Sequence, residues 1–113
     1  MATIKSYTDI SQSKKLAEIL PVESADMIYT ITNYYHTPFV RIEEINEMDE
    51  SDILCWSLAA LLGVLPDYTL QTNTDGTVFV VCDSKKPMIS DAYGNPVDAC
   101  VSMIEKLHEL KLL

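Results

Sequence analysis

The run ILCWSLAALLGVLP occupies residues 53–66 and is the densest apolar stretch of the sequence. It contains the only tryptophan, Trp56, and its apolar residues do not alternate with polar ones. Leu and Ala outnumber β-branched residues, which favours a helix over a strand. A helix that is apolar on nearly every side is typical of a protein core. The run therefore predicts a central buried helix, with Ser51 or Asp52 as its N-cap.

Length and composition indicate one globular domain over residues 1–113. A chain of this size buries enough surface to fold without disulfides or a metal ion, and a hydrophobic fraction of 48% argues against disorder. The central run is shorter than the roughly 20 apolar residues that cross a bilayer. The N-terminus lacks the apolar stretch of a secretory signal. We therefore expect a cytoplasmic protein that does not bind membranes.

Helix signals flank the central run on both sides. A first helix is predicted to begin with Thr8 or Asp9 as its cap and to end before Pro21. Asp9 and Gln12 have the spacing of a capping box. A last helix is predicted to begin at Asn95, with Pro96 in its first position.

The segments between the helices are rich in β-branched residues and predict two hairpins. These pair residues 27–32 with 39–42, and residues 68–72 with 77–82. The strand at 77–82 is apolar on both faces and is expected in the interior of a sheet. Residues 87–89 are a candidate for a further edge strand. The sequence thus predicts an α+β fold, in which a mostly antiparallel sheet of about four strands packs on three helices in the order α-ββ-α-ββ-α.

Three cysteines, Cys55, Cys82 and Cys100, lie far apart in apolar segments, without a C-x-x-C pair. This spacing is typical of buried free thiols in a reducing compartment. Nucleophilic catalysis also needs a base within reach, and His108 would lie ~12 Å from Cys100 along one helix. We therefore expect no catalytic residue.

Metal and cofactor motifs are not recognisable in the sequence. The acidic residues 43–52 lack the glycine that an EF-hand loop has at its sixth position. His36 and His108 have no partner at zinc-ligand spacing, and the three glycines do not cluster into a phosphate-binding loop. We expect no metal and no cofactor.

The net charge of −9 is concentrated in one segment. The rest of the chain is close to balance, with 11 acidic and 8 basic residues. The segment holds Glu43, Glu44, Glu47, Asp49, Glu50 and Asp52. The sequence contains no basic stripe for a nucleic-acid backbone, and an anionic membrane surface is disfavoured for the same reason. One interpretation is a solvated acidic face. The other is an acidic inhibitor or mimic that engages a basic surface of a partner.

Two other segments are candidates for an interaction surface. The first is the aromatic segment Tyr34-Tyr35-His36 with Phe39, since aromatic residues are enriched at interfaces. The alternative is that one side of this segment packs on the sheet. The second is formed by the C-terminal leucines Leu110, Leu112 and Leu113, which could dock on the same domain or on a second copy in a homodimer.

Four stretches of the chain are KKLAEILPVESADM at residues 14–27, CWSLAALL at 55–62, NPVDAC at 95–100 and MIEKLHEL at 103–110. They resemble a group of short, uncharacterised proteins from gut anaerobic bacteria and their phage-like mobile elements. The resemblance implies a cytoplasmic single-domain protein and supplies no catalytic residues.

These features predict a small, non-catalytic cytoplasmic interaction protein of a phage or mobile element, with an unidentified protein partner. The acidic inhibitor that uses residues 43–52 is the first alternative. The second is a small-ligand binder or enzyme that uses residues 83–94, with Asp91 and Tyr93 as candidate polar groups. A pocket beside that segment would favour it.

Overall fold

The computed structural model describes residues 5–31, 34–40, 50–83 and 87–113 of an α+β protein. In chain order its elements are α1 (Ile10–Ile19), β1 (Met27–Tyr29), β2 (Phe39–Val40), β3 (Ile53–Cys55), α2 (Leu58–Val64), β4 (Tyr68–Thr72), β5 (Val78–Asp83), β6 (Pro87–Ile89) and α3 (Pro96–Glu109). The predicted α+β class is confirmed, as are three α-helices within the described ranges.

The described strands form two antiparallel sheets of three strands each, in the orders β2-β1-β3 and β4-β5-β6. The prediction of one sheet of about four strands is wrong because each predicted hairpin gains a third strand. β3 pairs with β1, and β6 pairs with β5. The predicted edge strand at residues 87–89 is thereby confirmed, as is the interior position of β5. β1 ends at Tyr29, before the predicted end at residue 32. Residues 41–49, which include the end of the predicted second strand, lie outside the described ranges.

The apolar run at residues 53–66 is not one helix. Its first three residues are strand β3, and α2 begins only at Leu58. Pairing with β1 gives the backbone of these three residues hydrogen-bond partners in a sheet, so they leave the helical pattern. Tertiary pairing has overridden a local helix preference.

Ser57 is the N-cap of α2, in place of the predicted Ser51 or Asp52. Its Oγ accepts a hydrogen bond of 3.2 Å from the Ala60 N–H. The backbone N–H and the hydroxyl of Ser57 both donate to the Asp26 carboxylate. A side chain that immediately precedes β1 therefore fixes where α2 begins.

α3 is the central helix of the core. Its buried residues form a continuous apolar stripe: Val97, Ala99, Cys100, Val101, Met103, Ile104 and Leu107. This stripe packs on β5, where Val80 and Cys82 are fully buried, and on α1 and α2. By contrast, only Leu61 of α2 is buried, and Ala59 and Gly63 are exposed. The helix that the sequence places at the centre is thus a short, half-buried one that packs against the core cluster.

Both of the longer helices begin where their capping residues predict. The Asp9 carboxylate accepts from the Gln12 N–H at 2.8 Å, and the Gln12 side chain accepts from the Asp9 N–H at 3.1 Å. The Asn95 side chain accepts from the Asp98 N–H at 2.9 Å, with Pro96 as the first helical residue. These starts depend on contacts within one helical turn, which is why the sequence alone predicts them.

Candidate interaction surface

Four large apolar side chains on and beside the β1–β2 hairpin are exposed to solvent. They are Ile31 (54% exposed), Tyr34 (80%), Phe39 (53%) and Val40 (69%). Phe39 and Val40 are successive strand residues, whose side chains point to opposite faces, and yet both are exposed. β2 therefore lies at a rim of the described structure. We call these four residues the hairpin surface.

Tyr34 is held outward by an unusual backbone conformation. Its N–H donates to the Ile31 carbonyl at 2.9 Å, and the Tyr35 N–H donates to the Thr30 carbonyl at 3.0 Å. This pair of bonds is the one that closes a Schellman turn. Tyr34 has the left-handed φ of 51° that such a turn requires, and Tyr35 follows with 57°. Because a Cβ costs roughly 1–2 kcal/mol in this region, glycine is the usual residue at the position of Tyr34.

The structure separates the members of the predicted aromatic segment. Tyr34 and His36 are exposed, whereas Tyr35 is half-buried. The Tyr35 hydroxyl donates to the Ser51 carbonyl at 2.7 Å. Tyr35 therefore anchors the turn to the segment before β3, while Tyr34 and His36 face solvent.

Most of the predicted acidic surface, namely Glu43, Glu44, Glu47 and Asp49, lies outside the described residues. Glu50 is exposed and Asp52 is half-buried. The acidic-surface hypothesis stays a prediction.

The predicted C-terminal surface is accessible. Leu110, Leu112 and Leu113 are each more than 40% exposed. α3 closes with a second pair of Schellman bonds, from the Lys111 N–H to His108 at 3.0 Å and from the Leu112 N–H to Leu107 at 2.8 Å. Lys111 takes the left-handed position of this turn, with a φ of 58°. Tyr34 and Lys111 thus share the same hydrogen-bond pattern and the same left-handed φ.

The three cysteines are buried, as predicted, and burial suppresses their reactivity. It raises the pKa of Cys82 and raises that of Cys100 to about 12. Burial also raises the pKa of Cys55, against the opposing effect of hydrogen bonds with Thr8 and Ser13. Since the thiolate is the nucleophilic form, these thiols are poorly suited to catalysis at neutral pH.

Thr8 is the centre of a buried polar network beside Cys55. Its hydroxyl lies 2.8 Å from the Ser13 hydroxyl and accepts from the Trp56 N–H at 3.2 Å. Its carbonyl accepts from the Tyr29 hydroxyl at 2.7 Å and from the Cys55 thiol at 3.4 Å. Burial raises the pKa of Tyr29 far above its ordinary value, so this hydroxyl stays protonated and donates. The network joins the start of α1 to the first sheet.

A polar groove of about 350 Å³ lies between α1 and α3. In it, Asp98 Oδ1 accepts from Lys5 Nζ at 2.7 Å and from Gln12 Nε2 at 2.8 Å, and Asp98 Oδ2 accepts from Asn95 Nδ2 at 2.8 Å. Partial burial raises the pKa of Asp98, but these donors outweigh it and hold the pKa below the ordinary 3.8. The carboxylate is therefore an ionised structural link between the two helices.

The structure describes residue 83 and residues 87–94 of the predicted ligand-binding segment, and of these only Tyr93 reaches the groove. Tyr93 lines the groove, and its backbone bonds to Val78 in both directions, at 2.7 and 2.8 Å. Asp91 is exposed and is not part of the lining. The two candidate polar groups therefore do not share this groove.

A second groove, of about 570 Å³, lies between α1 and β3 and is one that sequence reasoning missed. Its lining is Lys14, Ala17, Glu18, Val22, Asp52, Ile53 and Leu54. Ile53 and Leu54 belong to a predicted helix in the sequence, so their place on the edge of a sheet has no local signal.

Ile31 and Val40 of the hairpin surface were also missed, because both lie in segments predicted as strands. One sequence signal for the exposure of Val40 is Pro38, since proline at the start of a strand favours an edge position.

We expect Asp98→Asn to weaken the pH dependence of stability in acid. Because the pKa of Asp98 is lower in the folded protein than in the unfolded chain, its contribution is full above the ordinary 3.8 and disappears as the pH falls through the folded value. Partial burial lowers the pKa of Lys5, but the hydrogen bonds of Lys5 to Asp98 and Asp9 raise it overall. The contribution of Lys5 to stability is therefore lost only above pH 10.5, outside the acid range.

Urea unfolding at neutral pH and from about pH 5 to about pH 2 measures this effect. Asp91→Asn, which removes an exposed carboxylate outside the groove, is the matched control. An Asp98→Asn profile that parallels the wild type would contradict the assignment.

Over residues 5–31, 34–40, 50–83 and 87–113, no three His, Cys, Asp or Glu side chains are grouped so that they could hold a metal ion. The helices in the same ranges include none that is long and apolar enough to cross a membrane.

Comparison with known proteins found no matching family model, no matching curated protein and no matching solved structure. The resemblance to proteins of mobile elements therefore stays a prediction.

Proposed function

We propose that this protein is a small, non-catalytic interaction protein that binds a partner protein through the hairpin surface. The observation that carries the proposal is the exposure of four large apolar side chains on one hairpin. Exposed apolar side chains that lie close together along the chain mark protein interaction sites, and aromatic side chains are enriched at the centres of interfaces. Because Phe39 and Val40 point to opposite faces of β2, the partner would contact this rim from both sides. Tyr34 and Phe39 supply the aromatic anchors, and Ile31 and Val40 supply the aliphatic rim.

The backbone of Tyr34 supports the same conclusion. A tyrosine at a left-handed turn position lowers stability relative to glycine. At 80% exposure its ring gains almost nothing from the core. Contact of the ring with a partner accounts for an otherwise costly residue, as is common for strained positions at binding sites.

The polar chemistry also favours binding over catalysis. Burial raises the pKa of Cys55, Cys82 and Cys100, and the Asp98 carboxylate accepts bonds from three side chains of the protein. An enzyme needs a nucleophile or base that substrate can approach. The hairpin surface needs only shape and apolar area.

The proposed partner is a cytoplasmic protein of a bacterial host or of a phage-like mobile element. This part of the proposal depends on the sequence resemblance alone. The acidic residues 43–52 would add a salt-sensitive contribution if the partner is basic.

Tyr34→Gly is expected to separate stability from binding. Removal of the Cβ relieves the left-handed strain and raises the free energy of unfolding by roughly 0.5–1 kcal/mol. Loss of the ring weakens partner binding by about tenfold or more. The measurements are urea unfolding and capture of proteins from host lysate on the immobilised chain, quantified by mass spectrometry.

Lys111→Gly is the matched control, because Lys111 has the same left-handed geometry at the end of α3. It should gain similar stability and keep the partner. The double variant Phe39→Ser/Val40→Thr should lose the same partner as Tyr34→Gly does. Equal capture by all variants would exclude the hairpin surface, and a partner that moderate salt releases from all of them would favour the acidic segment instead.

A further inference from the structure

The second sheet has one protected edge and one open edge. At β6, Pro87 has no N–H, and Lys106 Nζ donates to the Ile89 carbonyl at 3.0 Å. At β4 the sequence Tyr68-Thr69-Leu70-Gln71-Thr72 is exposed throughout and contains neither a charge nor a proline. Edge strands are usually protected against pairing by such features. β4 has none of them.

The register of β4 and β5 identifies the unused backbone groups. Opposed residues in an antiparallel pair alternate between bonded and non-bonded pairs. The Asp83 N–H donates to Asp67 at 3.0 Å, and the Asn73 N–H donates to Thr77 at 2.8 Å. The odd-numbered residues of β4 therefore bond to β5. Three residues direct their N–H and C=O groups to the open edge: Tyr68, Leu70 and Thr72.

We propose that β4 pairs with β4 of a second copy of this chain, antiparallel about a twofold axis at Leu70. In this register Leu70 lies opposite its own counterpart, and Tyr68 lies opposite Thr72 of the second copy. Each bonded pair exchanges two hydrogen bonds. The sheet β4-β5-β6 of one copy would then continue into the same sheet of the second copy.

The strand is complementary to itself in this register. The open groups are spaced evenly about Leu70, so a twofold rotation brings donors onto acceptors. No charged residue of β4 faces a like charge, since the strand has none. Just outside β4, Asp67 lies opposite Asn73 of the second copy. The Asp67 side chains of the two copies are therefore far apart.

The core layer supports the same partner. Tyr68 and Leu70 lie opposite Cys82 and Val80, and so share the face that packs on α3. Cys82 and Val80 are fully buried, whereas Tyr68 and Leu70 are 42% and 37% exposed. The apolar face of the sheet thus extends beyond the part that α3 covers. The same face of a second copy would continue it. Because β6 is protected, assembly closes at two copies.

The oligomeric state over a range of micromolar to millimolar concentration tests the proposal, by sedimentation velocity and light scattering. We expect a concentration-dependent dimer. Its affinity should rise with added salt, because each copy carries a net charge of −9 and salt screens their repulsion. A chain that stays monomeric throughout, or that forms open-ended assemblies, would overturn the proposal.

Leu70→Lys and Gln71→Lys form a matched pair. Leu70→Lys places two ammonium groups opposite each other at the twofold axis and should raise the dimer dissociation constant by about tenfold or more. Gln71 lies opposite Thr69 of the second copy, so Gln71→Lys should leave the dimer nearly unchanged. Circular dichroism checks that both variants are folded. A dimer that survives Leu70→Lys but is lost in Leu112→Ser/Leu113→Ser would assign the interface to the C-terminal leucines instead.

Cysteine cross-linking tests the register itself. Bonded pairs have a Cα–Cα distance of about 5.5 Å, which a disulfide can span, so mild oxidation should link Leu70→Cys chains into dimers. Two copies of Gln71→Cys are diagonal neighbours at about 7–8 Å and should not cross-link. The native cysteines are buried and provide a low background. Cross-linking of Gln71→Cys in preference to Leu70→Cys would exclude this register.

The dimer and the proposed function are tested separately. A chain that stays monomeric could still bind a partner through the hairpin surface, and a dimer could form without such a partner.

Discussion

Trp56→Ala is expected to lower the free energy of unfolding by about 4 kcal/mol. Trp56 is fully buried where β3 meets α2, and its indole N–H donates to the Ser24 hydroxyl at 2.9 Å. The substitution removes the largest of the fully buried side chains and leaves a cavity that the surrounding elements can only partly fill. Since domains of this size are stable by about 5–15 kcal/mol, much of the stability would be lost.

Trp56→Phe is the control that separates cavity formation from the lost hydrogen bond. It keeps most of the apolar volume, and the Ser24 hydroxyl retains its bond to the Pro21 carbonyl at 2.6 Å. We therefore expect a smaller loss of about 1–2 kcal/mol. Urea unfolding followed by circular dichroism measures both variants, since each lacks the single tryptophan needed for fluorescence. A loss below about 1 kcal/mol for Trp56→Ala would show that Trp56 is not a central packing residue.

Thr8→Val is expected to cost about 2–4 kcal/mol, although valine has nearly the same shape. The hydroxyl of Thr8 is a hydrogen-bond partner of the Ser13 hydroxyl and of the Trp56 N–H. All three groups lie in the buried network between α1 and the first sheet. Removal of the Thr8 hydroxyl leaves the buried Trp56 N–H without its partner and leaves the Ser13 hydroxyl with only the Cys55 thiol. A buried group that loses its partner carries a desolvation penalty of about 1–3 kcal/mol.

A double-mutant cycle with Ser13→Ala tests this cause. If an orphaned Ser13 hydroxyl contributes to the loss, then Thr8→Val/Ser13→Ala should cost less than the sum of the two single variants. Thr8→Ser keeps the hydroxyl and should lose only about 1 kcal/mol for its methyl group. Additive single effects would indicate that the two hydroxyls do not depend on each other.

The two proposed surfaces lie on different sheets and would act together. The hairpin surface belongs to the first sheet, and the open edge of β4 belongs to the second. A dimer joined through β4 would carry two hairpin surfaces, so that a multivalent partner would bind with a higher apparent affinity than one surface provides. The Leu70→Lys variant should therefore weaken capture of a multivalent partner without a change in the hairpin itself.

The sequence by itself determined the features that depend on contacts within a few residues. The reciprocal bonds of Asp9 and Gln12 span three residues, and so does the bond from Asp98 to Asn95. The turn between β4 and β5 contains Gly76 with a φ of 89°, a conformation that an Asp-Gly pair favours. Local sterics and local hydrogen bonds favour such features whatever the rest of the chain packs against.

Only the tertiary structure decided how the elements meet. Residues 53–55 are apolar enough for a helix or a strand, and their pairing with β1 selects the strand. Lys5 and Asp98 are 93 positions apart and still form the link between the ends of the chain. The exposure of the hairpin surface and the open edge of β4 likewise depend on which neighbours cover each strand. The free energies of such long-range contacts outweigh local propensities of a few tenths of a kcal/mol per residue, so no local pattern records them.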